Sequence, residues 1–274
     1  MLRKPKLGQN FLRDAQAAQR IAAALGNVAS HTVVEIGPGR GAITTLLAER
    51  AGHVLAVELD GELAANLRAR FSAQRVTLIE QDVLHFDFAA AAEQAGERLR
   101  VVGNLPYFIT SPILLKLAAS HAALEMAVLM VQREVADRVT AEPGSRDYGL
   151  LSVTVQMYGP VEPLFTLPPS AFAPSPQVHS TVFRWSFAPR FTEFSVEAAG
   201  FLHFLRQAFA QKRKTLANNL RAAGLPQSAV LAALDRTGID ARARAEALPI
   251  EALAALWRSL DAQREAPRAQ TLPI

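Results

Sequence analysis

Hydrophobic residues along this chain change texture twice. Between Thr32 and Val131, short β-branched runs alternate with longer segments in which apolar residues recur every three or four positions. The runs Thr32–Ile36, Val54–Val57, Val76–Ile79, Leu99–Val102 and Ala127–Val131 predict strands. The segments between them predict helices: Gly41–Ala51, Gly61–Phe71 with Leu63, Leu67 and Phe71 on one face, Thr110–Ser120 with Ile113, Leu114 and Leu117 on one face, and Arg133–Thr140. Val153–Met157 and Thr181–Phe187 read as two last strands around a loop with five prolines between Pro163 and Pro176. Strands alternating with helices specify an α/β domain, a parallel sheet covered on both faces. From Phe201 onward strand signals fade, and Phe201–Gln211, Lys212–Ala222, Gln227–Asp235 and Pro249–Leu260 read as amphipathic helices. The expected organisation is therefore a catalytic domain over 1–187, with a basic N-terminal arm, and a small helical domain over 188–274.

Composition narrows the chemistry. Apolar residues make up 50% of 274, enough for a sizeable core. No run of 18 apolar residues predicts a membrane span, and no apolar segment follows the basic Met1–Lys6 stretch to make a secretory signal. The chain has no cysteine, which excludes disulfides, thiolate zinc sites and thiol catalysis. Its six histidines are scattered without ligand spacing, so no metal is expected. The net charge of +4 is unevenly spread. Met1–Phe187 balances 17 Lys and Arg against 17 Asp and Glu, whereas the rest carries 12 against 8. Arg3, Lys4, Lys6 and Arg13 precede any acid. A basic arm and a basic tail flanking a neutral body suit a polyanionic partner.

Two motifs carry candidate chemistry. Glu35-Ile36-Gly37-Pro38-Gly39-Arg40-Gly41 follows the first long strand. Its glycines let backbone approach a nucleotide-like ligand at a helix N-terminus, and the spacing fits both a dinucleotide and S-adenosylmethionine (SAM). Glu58, at the end of the next strand, suits the ribose hydroxyls that both ligands share. Glu35 and Asp82 lean toward SAM: a carboxylate beside the loop favours the cationic methionine part over a pyrophosphate, and one ending the third strand can accept from an adenine amino group. The second motif is Asn104-Leu105-Pro106-Tyr107. An adenine amino nitrogen is a poor nucleophile because its lone pair is delocalised into the ring. The Asn104 side-chain oxygen and the Leu105 carbonyl can bind its two N–H groups and draw the nitrogen toward tetrahedral geometry. Pro106 stiffens the turn, and Tyr107, with Phe108 beside it, offers a face to the base. A third constellation, Phe172-Ala173-Pro174-Ser175-Pro176-Gln177-Val178-His179-Ser180, leads into the last strand, with Phe172 as a second stacking face.

In order along the chain, Gly8-Gln9-Asn10-Phe11-Leu12, the Glu35–Gly41 loop, Glu58, Gln81-Asp82, Asn104–Tyr107, Phe172–Ser180 and Gln211-Lys212-Arg213-Lys214-Thr215-Leu216-Ala217-Asn218-Asn219-Leu220 closely resemble the KsgA (RsmA) family of small-subunit ribosomal RNA adenine dimethyltransferases. The resemblance implies a Rossmann-like SAM-dependent methyltransferase sheet with a small C-terminal α-helical domain. It implies two methyl groups on each of two adjacent adenosines in a hairpin loop near the 3′ end of 16S rRNA, within an assembling small subunit, with S-adenosylhomocysteine as co-product. Asn10, Leu12, Gly37, Gly39, Glu58, Asp82 and Asn104 would line the SAM site. Asn104, Leu105 and Tyr107 would handle the base, with Phe172 stacking on it. Arg3, Lys4, Lys6, Lys212, Arg213 and Lys214 would meet RNA. A cytoplasmic monomer taking part in ribosome biogenesis is expected. Three rivals share part of this pattern. An Erm-type enzyme acting on large-subunit rRNA has the same catalytic motifs. An RNA-binding factor on a retired methyltransferase fold has no need of an intact Asn104–Tyr107 loop. An NAD-dependent oxidoreductase has a use for neither that loop nor the basic tail.

Overall fold

The computed structural model describes residues 9–265. In chain order the elements are β1 (Phe11–Leu12), α1 (Ala15–Ala24), β2 (Thr32–Ile36), α2 (Ala42–Arg50), β3 (His53–Glu58), α3 (Gly61–Arg70), β4 (Val76–Glu80), α4 (Phe88–Ala95), β5 (Leu99–Asn104), α5 (Thr110–Ala119), β6 (Leu124–Gln132), α6 (Arg133–Val139), α7 (Leu150–Met157), β7 (Val161–Leu167), β8 (Phe172–Ala173), β9 (Ser180–Ser186), α8 (Ala198–Ala208), α9 (Leu216–Ala222), α10 (Gln227–Arg236) and α11 (Ile250–Glu265). Aspartates start several helices, because a side-chain oxygen satisfies the first free N–H groups. Asp14 accepts from Ala17 N, Asp60 from Glu62 N and Leu63 N, and Asp87 from Ala89 N and Ala90 N.

The described residues divide into two compact units. One comprises those up to Thr140 together with Tyr158–Ala188; the other comprises Ala141–Met157 and those from Pro189 onward. The first holds a seven-stranded sheet in the order β4-β3-β2-β5-β6-β9-β7. β9 runs antiparallel to both of its neighbours, and the pairings among β2 to β6 are parallel. Val33, Val54, Val101, Val128 and Leu129 are fully buried along the central strands, each contributing about 1.5–3 kcal/mol. The register brings Ile36 beside Val57 and Gly103, Glu58 beside Glu80, and Asn104 beside Met130, so these carboxyl ends form one edge. Strand order reverses between β2 and β5, which opens a crevice there.

Two expected elements differ. Val153–Met157, expected as a strand, lies in helix α7, where Val153, Val155 and Met157 are buried together with Ser152 and Thr154. A helix buried all round shows no polar face to set its period, and its β-branched residues mimic a strand. Ser152 Oγ fixes its start by accepting from Gly149 N. Conversely, the proline-rich stretch expected as a loop contains β7. Pro163 sits where the β7–β9 register shifts, on the edge strand, the position in a sheet that tolerates a missing N–H.

The second unit is helical. Its core includes Tyr148, Val153 and Met157 with Phe201, Phe204, Leu216, Leu220, Val230, Leu234 and Trp257. The segment 141–157 thus packs with the C-terminal helices, across the expected 187/188 boundary. Helix α9 begins at Leu216, with Thr215 accepting from Asn218 N, rather than at Lys212. Residues 211–214 form a turn closed by Lys214 N donating to Gln211 O at 3.0 Å.

Candidate active site

A cleft of about 790 Å³, its open mouth included, lies at the carboxyl edge of the sheet over the β2/β5 crossover. Its walls come from the N-terminal strand (Gln9, Asn10, Phe11), the β2 loop (Gly37, Gly39), the β3 end (Glu58, Leu59), the β4 end (Gln81, Asp82, Val83) and the β5 loop (Asn104 to Ile109).

The glycine loop is shaped by close approach. Gly39 has φ +57°, and a Cβ there would lie 3.0 Å from the Phe11 ring. Gly41, the residue that starts α2, has φ +81°, and a Cβ would lie 2.7 Å from Leu67. Both are left-handed positions that a side chain would strain. Glu58 is buried at the β3 end, where Oε2 accepts from Gly39 N and Oε1 from Asp60 N, each at 3.0 Å. Each carboxylate oxygen keeps a lone pair for a further donor. Asp82 Oδ1 accepts from Leu84 N at 2.9 Å, which holds the carboxylate at the rim.

Glu35 behaves differently from the other acids: it lies outside the cleft lining and is 2% exposed. Burial pushes its carboxyl up to about 7; nearby Thr44 opposes that shift, and the Glu58 charge adds to it. The Thr44 contact falls short of a full hydrogen bond, since Glu35 Oε2 and Thr44 Oγ1 are both buried without a partner. Glu35 is therefore a protonatable group beneath the loop rather than a fixed anion facing a ligand.

The Asn104 loop is held at several points. Asn104 Nδ2 donates to the Asn10 carbonyl at 2.9 Å. A carbonyl only accepts, so this contact fixes the amide orientation and leaves Oδ1 as the acceptor for an incoming N–H. Leu105 N donates to Met130 O at 2.9 Å, its side chain is buried, and its carbonyl accepts no hydrogen bond among the described residues. Thr110 Oγ1 donates to Pro106 O at 3.1 Å and closes the turn. The Tyr107 hydroxyl pairs with Ser180 Oγ at 2.8 Å. Burial raises the phenol above its ordinary value, against the lowering effect of Ser180. Phe108 lines the same cleft and is 64% exposed. Two acceptors, an adjacent aromatic face and a glycine-lined cofactor cleft together suit methyl transfer to a planar amine.

Comparison with known proteins decides the family. The profile of ribosomal RNA adenine dimethylase matches residues 2–262. The chain belongs to the ribosomal RNA adenine dimethylase family. It is 59% identical over 259 residues to the ribosomal RNA small subunit methyltransferase A of Acidobacterium capsulatum, covering 94% of this chain and 91% of that one. It is 49% identical over 270 residues to the protein of the same name from Koribacter versatilis, covering 94% of each. The crystal structure of a dimethyladenosine transferase from Plasmodium falciparum superimposes with a TM-score of 0.78 at 22% identity, over 93% of this chain and 98% of that one. The 23S rRNA methyltransferase ErmE superimposes with a TM-score of 0.69 at 28% identity, over 92% and 100%. This chain is thus a Rossmann-like, SAM-dependent rRNA dimethyltransferase.

In this dimethylase the cleft gathers Asn10, Gly37, Gly39, Glu58, Asp82, Asn104, Leu105 and Tyr107, but two expected residues lie elsewhere. Phe172 is 1% exposed, in a core cluster with Ile21, Leu25 and Val182, and does not line the cleft. Leu12 packs in the same cluster, paired with Phe172 in the two-stranded β1–β8 ribbon. Strands of two residues are too short for their inward face to be read in sequence. The stacking face expected of Phe172 is therefore not at the cleft, which Phe108 does line. Lys212, Arg213 and Lys214 are exposed in the helical unit, with Lys212 Nζ donating to Arg146 O at 2.9 Å. Arg3, Lys4 and Lys6 lie outside the described residues. Sequence reasoning missed Phe11 and Ser180 as site residues, although both sit inside motifs it had singled out. It also missed Leu59 and Val83, apolar residues just past strand ends that line the cleft.

The residues present fit SAM. A buried carboxylate ends β3 with lone pairs to spare, and apolar Ile36, Val57, Leu59 and Val83 line the cleft around it.

Proposed function

We propose that this chain dimethylates the N6 amino groups of two adjacent adenosines in a hairpin loop near the 3′ end of 16S rRNA, within the assembling small ribosomal subunit, as a cytoplasmic monomer in ribosome biogenesis. The supporting observation is the Asn104 amide, pinned by Asn10 with its oxygen left as acceptor beside the Leu105 carbonyl. The relatives at 59% and 49% identity are named as small-subunit methyltransferases, which supports the choice of RNA.

Bound SAM supplies a methyl group on a sulfonium, an electrophile needing only alignment. Glu58 would accept from the ribose hydroxyls and Asp82 from the adenine amino group, and the Gly37–Gly39 backbone would leave room for the rest. Asn104 Oδ1 and Leu105 O take the two N–H groups of the target, which localises its lone pair. Tyr107 stacks on the base and holds its plane. No strong base is needed, because the nitrogen sheds its proton to solvent water after it has become cationic. After one methylation a single N–H remains, and one of the two acceptors suffices to orient the second attack. A loop adenosine reaches such a pocket at least unstacking cost. Lys212, Arg213 and Lys214, with Arg3, Lys4 and Lys6, provide the phosphate contacts, so RNA fold rather than base sequence delivers the target.

The likeness to ErmE makes large-subunit RNA the competing substrate. Incubating the protein with labelled SAM and unmethylated small or large subunits, followed by nucleoside mass spectrometry and site mapping, separates the two. Label in N6,N6-dimethyladenosine at two adjacent small-subunit positions is expected. Transfer to the large subunit, or N6-methyladenosine as sole end product with SAM in excess, overturns the proposal.

A further inference from the structure

The Phe172–Ser180 segment has no atom in the cleft lining, yet it touches the catalytic loop and the strand that orients it. At its start, Phe172 and Ala173 pair with Leu12 and Phe11, one residue beyond the Asn10 carbonyl that fixes Asn104. Further anchors surround that pairing: Arg13 N donates to Ala171 O at 2.9 Å, and Ser175 Oγ donates to Pro169 O at 3.0 Å. At its end, His179 O accepts from Arg133 N at 3.0 Å, tying the segment to the carboxyl end of β6. Ser180 follows, fully buried, between Gln132 of β6 and Leu167 of β7. Its hydroxyl lies 2.8 Å from the Tyr107 hydroxyl.

We propose that Ser180 is a positioning residue for methyl transfer, acting through Tyr107 to hold the aromatic face against the target base. The inference rests on the functional reading above and deepens it. Stacking alone asks nothing of a phenol oxygen; Phe108, in the same cleft, has none and stands largely exposed. Tyr107 is anchored at both ends of its side chain, by the turn at its backbone and by Ser180 at its hydroxyl. The anchor belongs to a strand hydrogen-bonded on both sides, and a site supported by such an element keeps its geometry better than one left on a loop. The motif thus works from behind the catalytic loop, in place of the second stacking face its sequence suggests.

Ser180→Ala, Tyr107→Phe and the double variant test this in the full chain. Activity on unmethylated small subunits is expressed per SAM-binding site, counted by calorimetry, so that loss of folded protein does not count. Each single variant is expected to lower kcat about three- to tenfold, the range for one neutral hydrogen bond, with SAM affinity unchanged. The double variant is expected to be no slower than either single one, because both remove the same hydrogen bond. Ser180→Thr, which keeps the hydroxyl on a strand that favours β-branching, should recover most of kcat. Multiplying effects in the double variant, or full kcat in Ser180→Ala, overturns the proposal. Should Ser180→Ala bind no SAM, Tyr107→Phe decides, since it breaks the hydrogen bond from the cleft side: full kcat there overturns it. A second readout is independent of turnover. The chain has three tyrosines, Tyr107, Tyr148 and Tyr158, so carbon-13 labelling gives resolvable ring signals. The Tyr107 Cζ shift should move in Ser180→Ala while the other two stay; an unmoved Tyr107 signal overturns the pairing. A wild-type protein that transfers no methyl group to small subunits, yet shows the Tyr107 shift, marks failure of the functional reading instead.

Discussion

Replacing Glu35 by Gln should remove a pH dependence built into the sheet beneath the glycine loop. The carboxyl is 2% exposed, and its Oε2 has no hydrogen-bond partner. Its folded-state value is pushed from 4.5 to about 7, mainly by burial. Between those values the folded chain keeps the proton and the unfolded chain releases it. The unfolded state then binds fewer protons, so stability falls as pH rises through this window and is level on either side. One pKa unit is about 1.36 kcal/mol, so the ionised carboxylate costs about 3 kcal/mol at pH above 7. Glu35→Gln keeps the shape, and its amide can donate to the buried, unpartnered Thr44 Oγ1. The variant should match wild type near pH 4.5 and exceed it by up to about 3 kcal/mol at pH 8. Urea unfolding at several pH values measures this. The chain has two tryptophans, one in each compact unit, and a Trp257→Phe background leaves Trp185 to report on the unit that holds Glu35. Equal pH slopes with and without the Glu35→Gln substitution would refute the reasoning, because other titrating groups are common to both proteins.

Asn104→Ala should bind SAM and lose about 10²–10³ in turnover, the usual cost of one preorganised contact; near-normal turnover removes Asn104 from the mechanism. Asn104→Asp should also be slow, since a carboxylate keeps an acceptor but turns an oxygen toward the Asn10 carbonyl in place of a donor. Glu58→Ala should weaken SAM binding by about 1.5–3 kcal/mol, and more if freeing Gly39 N and Asp60 N loosens the loop; unchanged affinity by calorimetry refutes the ribose role. Replacing Lys212, Arg213 and Lys214 together by Ala should flatten the salt dependence of subunit binding by about 0.7 in slope for each phosphate no longer neutralised, with SAM affinity intact. An unaltered slope moves the RNA surface elsewhere.

Strands β2 to β5 are legible because β-branched runs end at residues with a job at the edge: Ile36 before the glycine loop, Glu58, Glu80 before Gln81-Asp82, and Asn104. Legibility fails where tertiary context overrides local pattern. Val153–Met157 has strand-like residues, but burial on all sides lets it form a helix. Val161–Leu167 looks broken by Pro163, yet an edge strand with a register shift accommodates it. At the site, the residues that define the cleft by backbone approach or by strand-end position were readable, since glycine spacing and acidic strand ends have few other uses in that arrangement. Phe172 was misplaced because aromatic residues serve a core and a stacking face equally well; only the pairing of Phe172 with Leu12 shows which. Glu35 was misplaced for a related reason. Nothing in sequence tells which of two adjacent positions at a strand end faces the ligand and which turns under the loop.

The amide of an isolated asparagine has two nearly equivalent orientations, and only one puts oxygen toward a substrate amine. Residues adjacent in sequence do not break that symmetry here; a carbonyl from the N-terminal strand does. The flipped amide would set its oxygen against the Asn10 carbonyl, leaving that carbonyl without its donor and Nδ2 without its acceptor. The productive orientation is therefore favoured before substrate arrives. That bias depends on β1 being seated, and β1 is seated by its pairing with β8, more than 150 residues away in sequence. The segment that follows β8 brings Ser180 to Tyr107, 73 residues apart in sequence. A short Asn-Leu-Pro-Tyr sequence therefore does not make a catalytic loop alone. It becomes one where a glycine loop, an N-terminal strand and the segment before β9 converge, which is why motifs of low individual specificity identify the family when they occur in this order.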